Sequence, residues 1–262
     1  MLHIGIVASS AEGAALCYRT ICVEGSELLG PYNHPEVSMH GHPFVLYKNF
    51  IDASDWAGIA ELMLSSAEKL AKAGADFLIA PVNTVHQAFD LVEHRSPRPW
   101  LHIAREVAKE AQRRQFKRLA VLGTRYLMEG PVYRDALNAA GIEQRVPDAA
   151  QRERLDQIIM DELVMGQFLP RSRAYFTEVI RSLKDEGCDA VALACTEIPL
   201  LIDEESSHTL SSTDTHTSQQ NLLLLPPSLT EARHNLSRAG STQRVAEGNG
   251  SSSWVHLLVR QI

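Results

Sequence analysis

Two stretches of the chain superpose without a gap. One is Gly74-Ala75-Asp76-Phe77-Leu78-Ile79-Ala80-Pro81-Val82-Asn83-Thr84; the other is Gly187-Cys188-Asp189-Ala190-Val191-Ala192-Leu193-Ala194-Cys195-Thr196-Glu197. In each, a helix with Lys on its polar face ends at Gly, an Asp opens a short apolar run, and polar residues follow. A run of this length bounded by turn residues reads as a strand buried on both faces of a parallel sheet. A second pair has similar spacing: Ile4-Gly5-Ile6-Val7-Ala8-Ser9 resembles Leu119-Ala120-Val121-Leu122-Gly123-Thr124, again roughly 115 residues apart. Such a repeat restricts the chain to two related α/β halves. Cys195 aligns with Val82, so one half carries a thiol where the other carries an alkyl group.

The spacing predicts six parallel strands, near Leu2 to Val7, Val37 to His42, Asp76 to Ala80, Leu119 to Leu122, Ile142 to Val146 and Asp189 to Ala194. Helices fill the intervals. The first carries apolar Ala14, Leu16, Cys17, Ile21 and Leu28. The next, capped by Asp52 or Ser54, carries Trp56, Ile59, Leu62, Met63, Ala67 and Leu70 at spacings of three and four, a core-facing stripe that stops at Gly74. Pro97 to Ile103 reads as a crossover. The expected fold is α/β, with two pseudo-symmetric, doubly wound parallel-sheet domains (1–97 and 98–205) and a cleft between them. Beyond Ser206 neither a 2.0 nor a 3.6 period is visible, and 206–262 reads as a divergent, mostly unstructured tail, an abrupt change that suggests a replaced native end.

Of the 262 residues, 45% are hydrophobic, enough for a sizeable core. A formal charge of −7 argues against nucleic acid or an anionic membrane as partner. No apolar run approaches membrane-spanning length, and the N-terminus has no basic leader pattern. Cys17, Cys22, Cys188 and Cys195 show neither CxxC spacing nor a disulfide framework. A cytoplasmic protein is expected.

Ligands of open α/β sheets bind outside the carboxyl ends of strands. The residues there are Ser9 and Ser10, Val82-Asn83-Thr84, Thr124, and Cys195-Thr196-Glu197. Ser9 and Ser10 open the first helix, whose free amides suit a carboxylate. Asn83 and Thr84 can donate hydrogen bonds. His86 is either a site residue or a satisfied neutral histidine starting a helix. His40 and His42 lack a third ligand at metal-binding spacing, so a solvated pair or substrate-facing donors is preferred and no metal site is expected. Cys17, Cys22 and Cys188 read as structural.

Four of these segments resemble the aspartate/glutamate racemase superfamily: Gly5-Ile6-Val7 with Ser10-Ala11-Glu12-Gly13; Ala80-Pro81-Val82-Asn83-Thr84-Val85-His86; Leu122-Gly123-Thr124; and Ala194-Cys195-Thr196-Glu197-Ile198-Pro199-Leu200-Leu201. The match runs roughly from residue 2 to 205. The resemblance implies two α/β domains with a small carboxylate or amino-acid substrate between them, no cofactor, and pairing into a homodimer. Cys195 matches the thiol that works on one face of the substrate α-carbon, and Glu197 the acidic or histidine neighbour of that thiol. Asn83, Thr84, Thr124 and Thr196 match carboxylate-holding positions. Val82 stands where relatives place the opposing thiol, and the segment after Ile198-Pro199-Leu200-Leu201 departs from the family.

An α-proton is very weakly acidic, so its removal needs a positioned base and stabilisation of the carbanion. Inversion also needs an acid on the other face. Val82 has no proton to give, so a substitute must come from His86, His40, His42, Ser9 or water. Cys195, at the start of a helix, is expected to ionise below the ordinary thiol value of ~8.5. Three functions follow: racemisation of an acidic amino acid, one-thiol decarboxylation of a malonate-type acid, or binding without catalysis.

Overall fold

The computed structural model describes residues 2–202 together with Leu222 and Leu223. β1 (His3–Ala8), β2 (Glu36–Gly41), β3 (Phe77–Ile79) and β4 (Trp100–Leu101) form a parallel sheet in the order β2-β1-β3-β4. β5 (Arg118–Leu122), β6 (Glu143–Arg145), β7 (Ala190–Leu193) and β8 (Leu222–Leu223) form the second, in the order β6-β5-β7-β8. The two orders are the same once the strands are renumbered by half.

The repeat extends to individual hydrogen bonds. Ile4 lies opposite Phe77 in one sheet as Leu119 lies opposite Ala190 in the other. Asp76 accepts the His3 amide on Oδ2 at 2.7 Å and donates its own amide to the His3 carbonyl at 2.8 Å. Asp189 does the same with Arg118, both contacts being 2.9 Å. Each Asp thereby ties the start of an inner strand to its neighbour. The preceding helices end at Gly74 (φ +99°) and Gly187 (φ +86°), left-handed positions that glycine adopts without a Cβ clash.

Helices cover both faces of each sheet. On the first, α1 (Ala11–Leu29) packs Cys17 and Ile21 on Ile4, Ile6 and Ile79. Opposite it, α3 (Trp56–Lys72) presents Ile59, Met63, Ala67 and Leu70 to Val7 and Leu78. On the second sheet, α5 (Ile103–Arg113) and α7 (Pro131–Ala139) cover one face. α8 (Ala149–Asp161) and α9 (Pro170–Asp185) cover the other. Burying each large aliphatic side chain of these faces is worth roughly 1.5–3 kcal/mol.

Three details differ from expectation. Trp100–Leu101, read as crossover, pairs with β3 and so joins the first sheet beyond the expected boundary at 97; two residues among prolines carry no strand period. α3 is capped by Asp55, whose side chain accepts the Gly58 amide, whereas Ser54 is a left-handed turn residue (φ +53°) and Asp52 ends α2 (Phe44–Asp52). α2 buries only Tyr47 and so has no apolar stripe to read. Leu222–Leu223, within the expected tail, pairs with β7; the remainder of 206–262 lies outside the described residues. Among the described residues no helix is long and apolar enough to cross a membrane.

Candidate active site

The carboxyl ends of the two sheets face each other. The Thr84 and Thr124 hydroxyls meet at 3.2 Å, and Gln87 Nε2 donates to the Tyr126 carbonyl at 3.0 Å. Gly13, at the start of α1, lies so close to Thr196 that a Cβ there would sit 2.6 Å from the threonine Oγ1. The loops after β1, β3, β5 and β7 therefore form the walls of one cleft.

On the second-sheet side, β7 runs into Cys195 and then α10 (Ile198–Leu201), with Pro199 in its first turn. The Cys195 thiol donates to Glu197 Oε2 at 3.0 Å, and the Thr196 hydroxyl donates to the same oxygen at 2.9 Å. Glu197 is only 4% exposed, while Cys195 keeps part of its surface open. Burial, reinforced by the Glu197 carboxylate, holds the thiol well above its ordinary pKa. This reverses the expectation of a helix-lowered thiol. α10 has a single turn, and a carboxylate in hydrogen-bond contact outweighs its few amides. Cys195 thus rests as a thiol with a base in contact.

On the first-sheet side the aligned residue is Val82, whose side chain packs on the apolar cluster of Val7, Ala80 and Val85. A 3-10 turn (Thr84–Ala88) and α4 (Phe89–Val92) follow. Asn83 Oδ1 accepts the phenol of buried Tyr133 at 2.8 Å. Nothing in the sequence singled out Tyr133, which sits in an amphipathic helix; its signal is a polar tip inside an apolar stripe.

His86 is 3% exposed. Its Nδ1 lies 3.0 Å from the Val82 carbonyl and its Nε2 accepts the Ile103 amide at 3.5 Å, so the proton belongs on Nδ1. Burial lowers its pKa to about 4. Both nitrogens are engaged with backbone, which describes a satisfied neutral histidine bracing the Val82 turn and not a proton donor in the cleft.

Ser10 caps α1, accepting the Gly13 amide at 3.3 Å. Ser9, 7% exposed, has a buried hydroxyl without a hydrogen-bond partner among the described residues. An unsatisfied buried hydroxyl costs roughly 1–3 kcal/mol, a cost that a ligand oxygen at this place would relieve. His40 and His42 are tied to α3: His40 Nδ1 meets Ser66 Oγ at 3.0 Å while its Nε2 accepts from Lys69, and His42 Nε2 meets Ser65 Oγ at 3.2 Å. Burial and Lys69 lower both pKa values. Among the described residues no cluster of three or more His, Cys, Asp or Glu could hold a metal.

A concavity of about 490 Å³ opens elsewhere, behind His86 between α4, α5 and α7, and it does not include Cys195.

The sequence profile of the Asp/Glu/hydantoin racemase family matches residues 22–219. The chain belongs to this family. The broad specificity amino-acid racemase RacX of Bacillus subtilis (strain 168) is 24% identical over 178 residues, 67% of this chain and 74% of RacX. A crystal structure from Yersinia pestis, assigned as an Asp/Glu racemase, is 31% identical with a TM-score of 0.72, covering 79% of this chain and 90% of that one. An aspartate racemase homologue from Pyrococcus horikoshii OT3 is 28% identical with a TM-score of 0.68, over 79% and 90% of the two chains. Within the Asp/Glu racemase fold, then, this chain places a thiol–carboxylate pair on one wall of the cleft and an alkyl group at the aligned position of the other.

Proposed function

We propose that this protein is an amino-acid racemase of the aspartate/glutamate type, acting without a cofactor and using Cys195 as acid and base on one face of Cα. The observation that carries the reading is the Cys195 thiol held 3.0 Å from the buried Glu197 carboxylate. The substrate α-carboxylate binds beside Thr124 and Thr196 among the donors Ser9, Asn83 and Thr84, with the amides opening α1 behind Ser10. Glu197 accepts the thiol proton as substrate enters, and the thiolate then takes the α-proton. The carbanion is stabilised by the donors on its carboxylate. Inversion requires a proton from the other face; Val82 has none, and His86 is already engaged, so a water ordered by Ser9 or His42 supplies it, and the hydroxide left recovers, through solvent, the proton that Glu197 accepted.

A second reading has its own support. A resting thiol facing an alkyl wall suits delivery of one proton to a carbanion, as in decarboxylation of a malonate-type acid. Incubation with L-aspartate or L-glutamate in D₂O, followed by mass spectrometry and polarimetry, separates the readings. Deuterium uptake with inversion supports racemisation. No uptake, with CO₂ release from an arylmalonate, replaces it with the second reading. Binding without either reaction leaves a non-catalytic homologue.

A further inference from the structure

Asn83 belongs to the first lobe, yet its carbonyl oxygen is bound by the second. Tyr133 is 2% exposed, and its phenol donates to Asn83 Oδ1 at 2.8 Å. A buried phenol needs an acceptor, and this oxygen satisfies it. The other end of the carboxamide is different. Asn83 Nδ2 has no hydrogen-bond acceptor among the described residues, and it is not among the polar atoms sealed from solvent without a partner. It therefore keeps some contact with solvent and has no protein acceptor among the described residues, next in the chain to Thr84, whose hydroxyl meets Thr124.

We propose that Tyr133 is a positioning residue that makes Asn83 a donor toward the cleft, so that the site selects an acceptor such as a carboxylate. A free asparagine can turn its carboxamide end for end and present either O or NH₂. With the oxygen held by the phenol, only the NH₂ end remains for ligand. Loss of the phenol leaves Oδ1 unpartnered, and the flipped carboxamide would set oxygen against oxygen. The same bond makes carboxylate binding depend on lobe apposition, because α7 must stay against the Asn83 turn for the donor to point correctly. The residue acts through Asn83 and touches no substrate.

The inference rests on the proposed carboxylate site, and its test separates the two. Affinities for L-aspartate and succinate are measured by calorimetry for wild type, Tyr133→Phe, Asn83→Ala and the double variant. In parallel, ¹⁵N-asparagine labelling follows the Asn83 side-chain amide, assigned by its loss in Asn83→Ala. A hydrogen bond to a charged group corresponds to roughly a tenfold or greater change in affinity. Tyr133→Phe should weaken both ligands by about that factor and shift the Asn83 amide signal in ligand-free protein. The double variant should be no weaker than Asn83→Ala, because the phenol has nothing left to orient. Additive losses, or wild-type affinity in Tyr133→Phe, overturn the assignment.

Should wild type bind neither ligand, the carboxylate reading falls while the amide signal still decides the Tyr133 role: a shift in Tyr133→Phe upholds it, an unmoved signal overturns it. Asn83→Asp covers the case in which Tyr133→Phe does not fold. It keeps an acceptor for the phenol but offers oxygen to the ligand, and it should lose dicarboxylate binding; retained binding overturns the donor-only role.

Discussion

Glu197→Gln should make Cys195 easier to alkylate and the proposed racemisation slower. The carboxylate oxygen accepts the thiol proton at 3.0 Å, and its charge adds to burial in raising the thiol pKa. A hydrogen bond to a charged acceptor is worth about 1.5–3 kcal/mol. Its loss removes that stabilisation of the thiol and so lowers the thiol pKa. Each unit of such a fall raises the thiolate fraction about tenfold but lowers intrinsic nucleophilicity about threefold, so the net gain is about threefold per unit. Iodoacetamide at pH 8 should therefore label Cys195 about three to ten times faster in Glu197→Gln, read on the Cys195 peptide by mass spectrometry. Burial remains, so the thiol does not become fully ionised. Turnover should move the other way, by about 10²–10⁴, because the group that receives the thiol proton is gone. Labelling that slows or does not change would refute the pairing of Cys195 with Glu197.

Cys195→Ser should abolish deuterium exchange and Cys17→Ser should not, since Cys17 is buried on the face of α1 that packs on the first sheet; equal activity in both would remove Cys195 from the site. Val82→Cys restores a protic group at the aligned position for a small packing cost of about 1 kcal/mol, and racemisation should rise at least tenfold, with an unchanged rate counting against Val82 as the missing acid. Gly13→Ala would force a Cβ to within 2.6 Å of Thr196 Oγ1, so a loss of about 1–3 kcal/mol from overpacking is expected in urea titration. The folded state keeps His86 neutral with a pKa of about 4, below the unfolded value near 6.5. The unfolded chain therefore takes up more protons between those values. The stabilisation, up to about 3 kcal/mol, is present above pH 6.5 and lost as pH falls toward 4. Tm should drop over that window, and His86→Gln should flatten the slope.

The sheets were legible because β3 and β7 are continuous apolar runs opened by Asp and preceded by Gly, each beside a second apolar run, β1 or β5. Each feature has a local physical reason: burial on both faces, a carboxylate on a neighbouring amide, and a left-handed turn. β4 was not legible, since two residues directly after Pro97 and Pro99 have no period, and α2 was hidden because it buries little besides Tyr47. Cys195, Thr196 and Glu197 could be named as neighbours at a strand end, but the sign of the thiol pKa could not be read. It depends on whether Glu197 turns toward the sulfur or away from it, which is a matter of packing. Tyr133 lies fifty residues from Asn83 in the chain, and only the apposition of two lobes relates them.

The repeat also shows where the two halves stop being equivalent. By strand register Thr84 corresponds to Glu197, and Thr124 to Ser9. Thr84 and Thr124 satisfy each other across the cleft at 3.2 Å. In the other copy of that contact, Glu197 has turned to Cys195 and Thr196, and the Ser9 hydroxyl is left buried without a partner. A duplicated scaffold would close both contacts alike if stability alone were selected, because two satisfied hydroxyls avoid a desolvation cost of about 1–3 kcal/mol. Here the carboxylate is engaged by the thiol and the Thr196 hydroxyl instead of by Ser9. The half in which the contact is open is the half proposed to carry the chemistry, and a ligand carboxylate seated there would supply the acceptor that Ser9 lacks among the described residues. If so, dicarboxylate binding should weaken in Ser9→Ala while Tm rises, because the variant discards an unsatisfied hydroxyl. A Tm that falls would mean that Ser9 is already satisfied in the free protein.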